Sequence, residues 1–151
     1  MSIGVLSGKH ERQTIEVVFE ASASTTAKLK ILTFHDFQRD GAGRWATHEI
    51  IGQDRKPVLE FIGPDLETIS FSILLSKTLG VEPIDELKKL RQLRDNGVVC
   101  TFTLGGNLVT TNQWVVTKVS ESHASYTNKG ALLAARVYIS LTEYVKLPKE
   151  A

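Results

Sequence analysis

The chain has 151 residues, of which 42% are hydrophobic and 23% are charged, and its formal net charge is +1. The apolar fraction excludes a mainly disordered chain, and the length predicts a single domain over residues 1–151. The near-neutral charge excludes a global field that attracts nucleic acid or an anionic membrane, so we expect protein partners that are recognised through shape and local patches.

The only cysteine, Cys100, falls within an alternating apolar pattern, which predicts a small buried thiol and no internal disulfide. The N-terminus has no basic segment ahead of a long apolar core, and no stretch approaches the roughly 18 apolar residues of a membrane span. We therefore expect a soluble protein whose single cysteine fits synthesis in a reducing cytoplasm.

The first half of the chain predicts strands and loops. Apolar residues alternate with polar ones over residues 15–21, which is typical of a strand with one buried face. The Ser/Thr/Ala tract at residues 21–27 predicts a loop, and a short strand is expected around residues 29–33. Residues 35–45 carry two glycines and clustered charges, which predict an exposed loop before a strand at residues 46–51.

Two further strands are predicted before the middle of the chain. Residues 52–57 predict a turn, and the strand through Leu59 and Phe61 is expected to stop at Gly63-Pro64-Asp65. The clearest alternation in the sequence follows, with its apolar positions at Ile69, Phe71, Ile73 and Leu75.

One amphipathic helix is predicted at residues 83–96. Pro83 stands in its first turn, acidic residues lie near its start, basic residues lie toward its end, and Gly97 is placed to cap it. A repeat of three predicts one apolar stripe that packs on a sheet while the charges face outward: Ile84, Leu87, Leu90 and Leu93.

The last third predicts antiparallel strands. Alternation at residues 98–104 leads to Gly105-Gly106-Asn107, which predicts a hairpin turn into a strand at residues 108–119. The final strand has its buried face at Ala135, Val137, Ile139 and Leu141. A short charged tail at residues 146–151 is expected to be flexible.

Motifs for chemistry are missing from this sequence. The histidines have no metal-binding spacing, Cys100 lies in mid-strand, and no GxSxG, GxGxxG or GxxxxGK[ST] pattern occurs. The basic residues of the helix are balanced by acidic ones, which indicates a solvent-exposed helix face. We therefore predict no enzyme and no catalytic, cofactor-binding or metal-binding residues.

Residues 44–76, RWATHEIIGQDRKPVLEFIGPDLETISFSILLS, resemble the tail protein U family of contractile-tailed bacteriophages and related phage-tail-like particles. The shared order is an aromatic residue before a strand, a short basic turn with proline, a strand that ends in Gly-Pro, an alternating strand and a helix. The resemblance continues through the Gly105-Gly106 hairpin and Trp114 to the closing strand, and covers roughly residues 28–145.

The resemblance implies a β-rich α+β fold with antiparallel sheets, similar to tail-tube and tail-terminator subunits. It implies a structural protein without a cofactor that is synthesised in the bacterial cytoplasm and assembles in the tail of a virion or of a phage-like particle. There it forms a homohexameric ring, with tail tube, sheath or baseplate proteins as partners. The ring belongs either at the terminator end or at a baseplate-proximal collar. An adaptor module that forms no ring and a small lytic hydrolase stay open as alternatives.

Basic residues in the two predicted loops are the candidate interface residues: Arg39, Arg44, Arg55 and Lys56. Exposed charges in loops add little to folding but can steer and align a partner. Residues 21–27 and 36–45 are expected to be mobile in the isolated subunit and to become ordered against neighbours.

Overall fold

The structure, a computed structural model, describes residues 2–20, 34–77 and 81–146. These residues form ten strands and one helix, which confirms the predicted β-rich α+β class. In chain order the elements are β1 Ser2–His10, β2 Gln13–Glu20, β3 Phe34–Asp40, β4 Gly43–His48, β5 Val58–Pro64, β6 Thr68–Ser76, α1 Pro83–Asp95, β7 Val99–Leu104, β8 Asn107–Leu108, β9 Gln113–Tyr126 and β10 Leu132–Tyr144.

Eight strands form the main sheet in the order β2-β1-β7-β9-β10-β6-β3, with β8 paired to β7, and β4 and β5 form a separate two-stranded sheet. Every pair is antiparallel. The predicted apolar faces of β6 and β10 are confirmed as core, because all of their members are buried: Ile69, Phe71, Ile73, Leu75, Ala135, Val137, Ile139 and Leu141.

Aromatic rings join the two ends of the main sheet. The ring centroids of Phe19 in β2 and Phe34 in β3 lie 5.6 Å apart, although these strands stand at opposite ends of the strand order. Phe71 lies 5.6 Å from Phe19, and Phe37 stacks on Phe102 at 6.5 Å. The sheet therefore curls so that side chains of its two end strands share one core, although these strands do not pair with each other.

The helix packs against β2, β9, β10 and β6, so its apolar face covers strands from different parts of the curled sheet. Leu87, Leu90 and Leu93 are buried, as predicted. After the last turn Gly97 has a φ of +59°, and the Val98 N–H donates to the Leu93 carbonyl at 3.2 Å. This bond is typical of a Schellman motif and explains why glycine ends the helix.

Two details of the predicted helix stripe are wrong. Ile84 is 56% exposed, whereas Glu86 is buried and its Oε1 lies 3.4 Å from the Lys89 Nζ. Each residue rotates the helix position by about 100°, so four positions spaced by three drift by about half a turn. The buried face is centred near Leu90, which turns Ile84 outward and Glu86 inward.

Strand β1 was not predicted, because glycines interrupt its apolar pattern. A Cβ atom on Gly4 would lie 2.7 Å from Leu104 Cδ2, and one on Gly8 would lie 2.6 Å from Val98 Cγ1. Glycine at these positions therefore lets β1 lie close against β7, to which it pairs from Gly4↔Leu104 to Gly8↔Cys100.

The exposed loop predicted at residues 35–45 is wrong, since β3 and β4 occupy most of that range. Asp36 has a φ of +55°, and the register against β6 shifts between His35 and Gln38. An irregular, charged edge strand of this kind conceals the two-residue period. The predicted strand at 46–51 ends earlier, at His48, and the one at 108–119 is divided into β8 and β9.

Some predictions concern residues outside the described ranges. These are the loop at residues 21–27, the strand around residues 29–33 and residues 147–151 of the charged tail.

Replacing Leu90 by aspartate is expected to unfold the subunit, because an unpaired carboxylate would occupy a fully buried helix position. The loss should be roughly 4 kcal/mol or more, which is a large share of the stability of an ordinary domain. The matched control is Ile84→Asp on the exposed side of the same helix, with an expected change of about 0.5 kcal/mol or less. Urea unfolding monitored by circular dichroism measures both, and equal midpoints for the two variants would contradict the packing described here.

The Cys100 thiol is expected to resist alkylation in the folded protein. Cys100 is fully buried, and burial raises the pKa of its thiol to about 11, so the reactive thiolate is scarce near pH 8. Mass spectrometry after maleimide treatment should show one added label only when denaturant is present. Rapid labelling of the native protein would show that β7 opens easily.

Candidate assembly interface

A two-stranded ribbon, residues 43–64, extends from the main sheet and is built from β4, β5 and the turn between them. Its strands continue β3 and β6, because Asp40 pairs with Thr68 and Gly43 pairs with Pro64. Every residue of the ribbon is exposed except Ala46 and Gly63. The ribbon is therefore the outer part of one long hairpin whose inner part belongs to the edge of the main sheet.

Pairing within the ribbon sorts its side chains onto two faces. Trp45 pairs with Phe61, and Thr47 pairs with Leu59, so these four residues share one face. The rings of Trp45 and Phe61 lie 4.9 Å apart. On the opposite face Val58 and Ile62 flank Glu60, whose Oε2 lies 2.7 Å from His48 Nε2.

Both faces of the ribbon expose large apolar side chains. Trp45, Val58, Leu59, Phe61 and Ile62 are each half exposed or more, and Ile51 in the turn is fully exposed. A two-stranded hairpin is marginally stable in water, and contiguous apolar patches of this kind are rare on monomers unless they bind something. The ribbon thus has the composition of a surface that a partner covers.

Three of the four candidate interface residues lie on the ribbon. Arg55 and Lys56 belong to its turn, which the Arg55 N–H closes by donating to the Gly52 carbonyl at 3.3 Å. The Arg44 Nε donates to the Pro64 carbonyl at 3.2 Å. Arg39 lies on β3, where its Nε donates to Glu67 Oε2 at 2.7 Å. Arg55 and Lys56 thus carry outward charges at the turn. The guanidinium groups of Arg39 and Arg44 instead help to hold the base of the ribbon.

The sequence pattern identified charged residues as candidate interface residues and did not identify the apolar side chains of the ribbon. The run Val58-Leu59-Glu60-Phe61-Ile62 was available as a signal, because it places apolar residues on both faces of one strand. Such a run normally indicates a strand buried on both sides. Here no element of the described chain covers it, which is the pattern expected if the cover comes from another molecule.

A groove of about 670 Å³ lies at the base of the ribbon, between the connection from β5 to β6, the loop after β8 and the end of β10. We call it the base groove. Leu66 and Val145 give it partly exposed apolar lining. Three carboxylates, those of Asp65, Glu67 and Glu143, lie at the same site.

Hydrogen bonds fix the acidic side of the base groove. Glu143 accepts from the Asn112 side-chain amide at 2.8 Å and from the Glu67 N–H at 3.2 Å, while its own N–H donates to the Glu67 carbonyl at 2.9 Å. Asp65 Oδ1 accepts from the Leu66 N–H at 2.8 Å. The carboxylates of Asp65 and Glu143 are therefore held in position and are available to a cationic partner, whereas that of Glu67 is paired with Arg39.

A second group of titratable side chains joins α1 to β9. Arg91 donates through two nitrogens to Glu121, at 3.0 and 2.5 Å, and His123 Nε2 lies 3.1 Å from the same carboxylate. The hydrogen bonds from Arg91 lower the pKa of Glu121. This geometry fits a structural ion pair that holds the helix on the sheet.

Within residues 2–20, 34–77 and 81–146, no three His, Cys, Asp or Glu side chains are grouped so that they could hold a metal ion. The helix in that same part of the chain is not long and apolar enough to cross a membrane.

Replacing Phe61 by serine is expected to change the stability of the isolated subunit little, because its ring packs on Trp45 within the exposed ribbon. The free energy of unfolding should fall by less than about 1 kcal/mol. The same change at the buried Phe71 should cost about 3 kcal/mol or more. Thermal unfolding of both variants provides the comparison, and a large loss for Phe61→Ser would show that the ribbon is part of the core.

A comparison with protein families agrees with the family resemblance found in the sequence of the ribbon and of the strands around it. A family model described as Phage P2 GpU matches residues 24–146, which includes the ribbon, the base groove and the helix. No curated protein matches the chain. Because the match covers most of the sequence, the chain belongs to the Phage P2 GpU family and is a structural protein of a phage tail.

Proposed function

We propose that the protein assembles as a homohexameric ring that contacts the tail tube, and that it acts through these contacts and not through catalysis. The carrying observation is the ribbon, which exposes apolar side chains on both faces beyond a core that is already filled. In a phage tail, neighbouring subunits are available to cover such a surface.

A ring needs two different surfaces on every subunit, because each copy binds one neighbour with one surface and the other neighbour with the second. The ribbon and the base groove are two such surfaces. A stable contact buries about 800 Å² on each partner, and a ring that forms on the tube can use smaller ones. We therefore expect the isolated protein to be monomeric and the ring to form during tail assembly.

The terminator end and a baseplate-proximal collar both agree with this architecture. At the terminator end the ring would cap the tube and sheath, whereas a collar would surround the lower end of the tube and bind baseplate and sheath proteins. A density map of the assembled particle distinguishes the two positions. Six copies in one layer around the tail axis are expected, and a single copy or a position off that axis would overturn the proposal.

The variant Leu59→Asp is expected to fold normally and to reduce particle assembly by about tenfold or more, because it places a charge on the apolar face of the ribbon. Leu108→Asp is the matched control, since Leu59 is 59% exposed on the ribbon and Leu108 is 55% exposed on β8. Particle yield and the melting temperature of each purified subunit are measured together. Normal yields with Leu59→Asp would show that this face is not needed for assembly.

A further inference from the structure

The turn of the ribbon and the base groove have complementary chemistry. We call residues 50–56 the tip. It combines Ile50 and the fully exposed Ile51 with Arg55 and Lys56, and its only acidic residue is Asp54, so its net charge is positive.

The base groove presents the opposite combination. Leu66 and Val145 are apolar and about half exposed, and they lie beside Asp65, Glu67 and Glu143. Arg44 lines the groove as well, and Arg39 is paired with Glu67. These two arginines against three carboxylates still leave the site with a net negative charge.

The paired strands hold the tip away from the groove of its own chain, because the two lie at opposite ends of these strands. Pairing in the ribbon runs from Gly43↔Pro64 to His48↔Val58, and the turn that carries the tip extends beyond the last pair. At about 3.3 Å per residue the paired part alone is about 17 Å long. A ribbon that extends this far from the main sheet can reach the surface of a neighbouring subunit.

We infer that the tip of one copy binds in the base groove of the next copy, with Ile51 against Leu66 and Val145. Arg55 and Lys56 then face the carboxylates of Asp65 and Glu143. The inference rests on the proposed ring and specifies its subunit contact. Each copy offers one tip and one groove, so the contact is heterologous and repeats from subunit to subunit until the ring closes.

Charge exchange between the two surfaces tests the pairing. The tip variant Arg55→Glu with Lys56→Glu and the groove variant Asp65→Lys with Val145→Lys should each lower particle yield by about tenfold or more. A chain that carries all four substitutions should recover most of the yield, because a negative tip then meets a positive groove. If the particle yield of that chain stays as low as that of the tip variant and the groove variant, the proposed pairing is wrong.

All four positions are exposed, so these variants should keep the melting temperature of the parent protein. The control is Lys88→Glu with Lys118→Glu, which reverses two exposed charges on α1 and β9. Normal assembly of this control shows that the loss in the tip variant does not come from its change of net charge.

Cross-linking in assembled particles separates the inference from the proposed ring. The pair Ile51→Cys with Val145→Cys should give a ladder of covalent oligomers when a bismaleimide reagent is added. The buried Cys100 should stay unmodified. The pair Ile51→Cys with Ile84→Cys, on the exposed side of the helix, should give none. Six copies around the tail axis without the ladder would overturn only the contact, whereas particles without such a ring would overturn the proposed function itself.

Discussion

The contact between Phe19 and Phe34 brings the first and last strands of the main sheet together, and the rest of the fold depends on it. A flat sheet of this width would leave its apolar face exposed to water unless another layer covered it. Once its ends meet, the inner side chains face a closed space, and the helix supplies the apolar residues that fill it. The long β9–β10 pair and the close approach of β1 to β7 are both arranged around this closed core.

Closure of the core separates folding from assembly within one chain. The buried hydrophobic residues lie on the main sheet, on α1 and at Val81 and Val98 beside α1. Of the ribbon only Gly63 is buried, where no side chain is involved. The hydrophobic effect therefore acts twice on this molecule. It first stabilises the subunit, and it remains available at Trp45, Leu59 and Phe61 for association with another molecule.

Sequence periodicity predicts the elements whose apolar faces are buried against other parts of the same chain. β6 and β10 follow a two-residue alternation with a single core face, and the leucines of α1 follow the helical period, so both were predictable. β1 and β3 were not, because glycines at close strand contacts and charges along an edge break the pattern. The ribbon was predicted as strand and turn in part, but the exposure of its apolar side chains was not. Periodicity indicates that a face is apolar and does not say whether the covering surface belongs to the same chain.

The continuity of the ribbon with β3 and β6 has a mechanical consequence. Only residues 41 and 42 separate β3 from β4, and only residues 65–67 separate β5 from β6. A pull along the ribbon is therefore transmitted lengthwise into two paired strands, one of which, β6, is also paired to β10. Loaded in this direction, β3 and β6 are pulled together, and the backbone hydrogen bonds between β6 and β10 resist in shear and share the force. Bonds that are peeled apart would instead break one after another. The ribbon can thus bear tension without unfolding the subunit from which it extends.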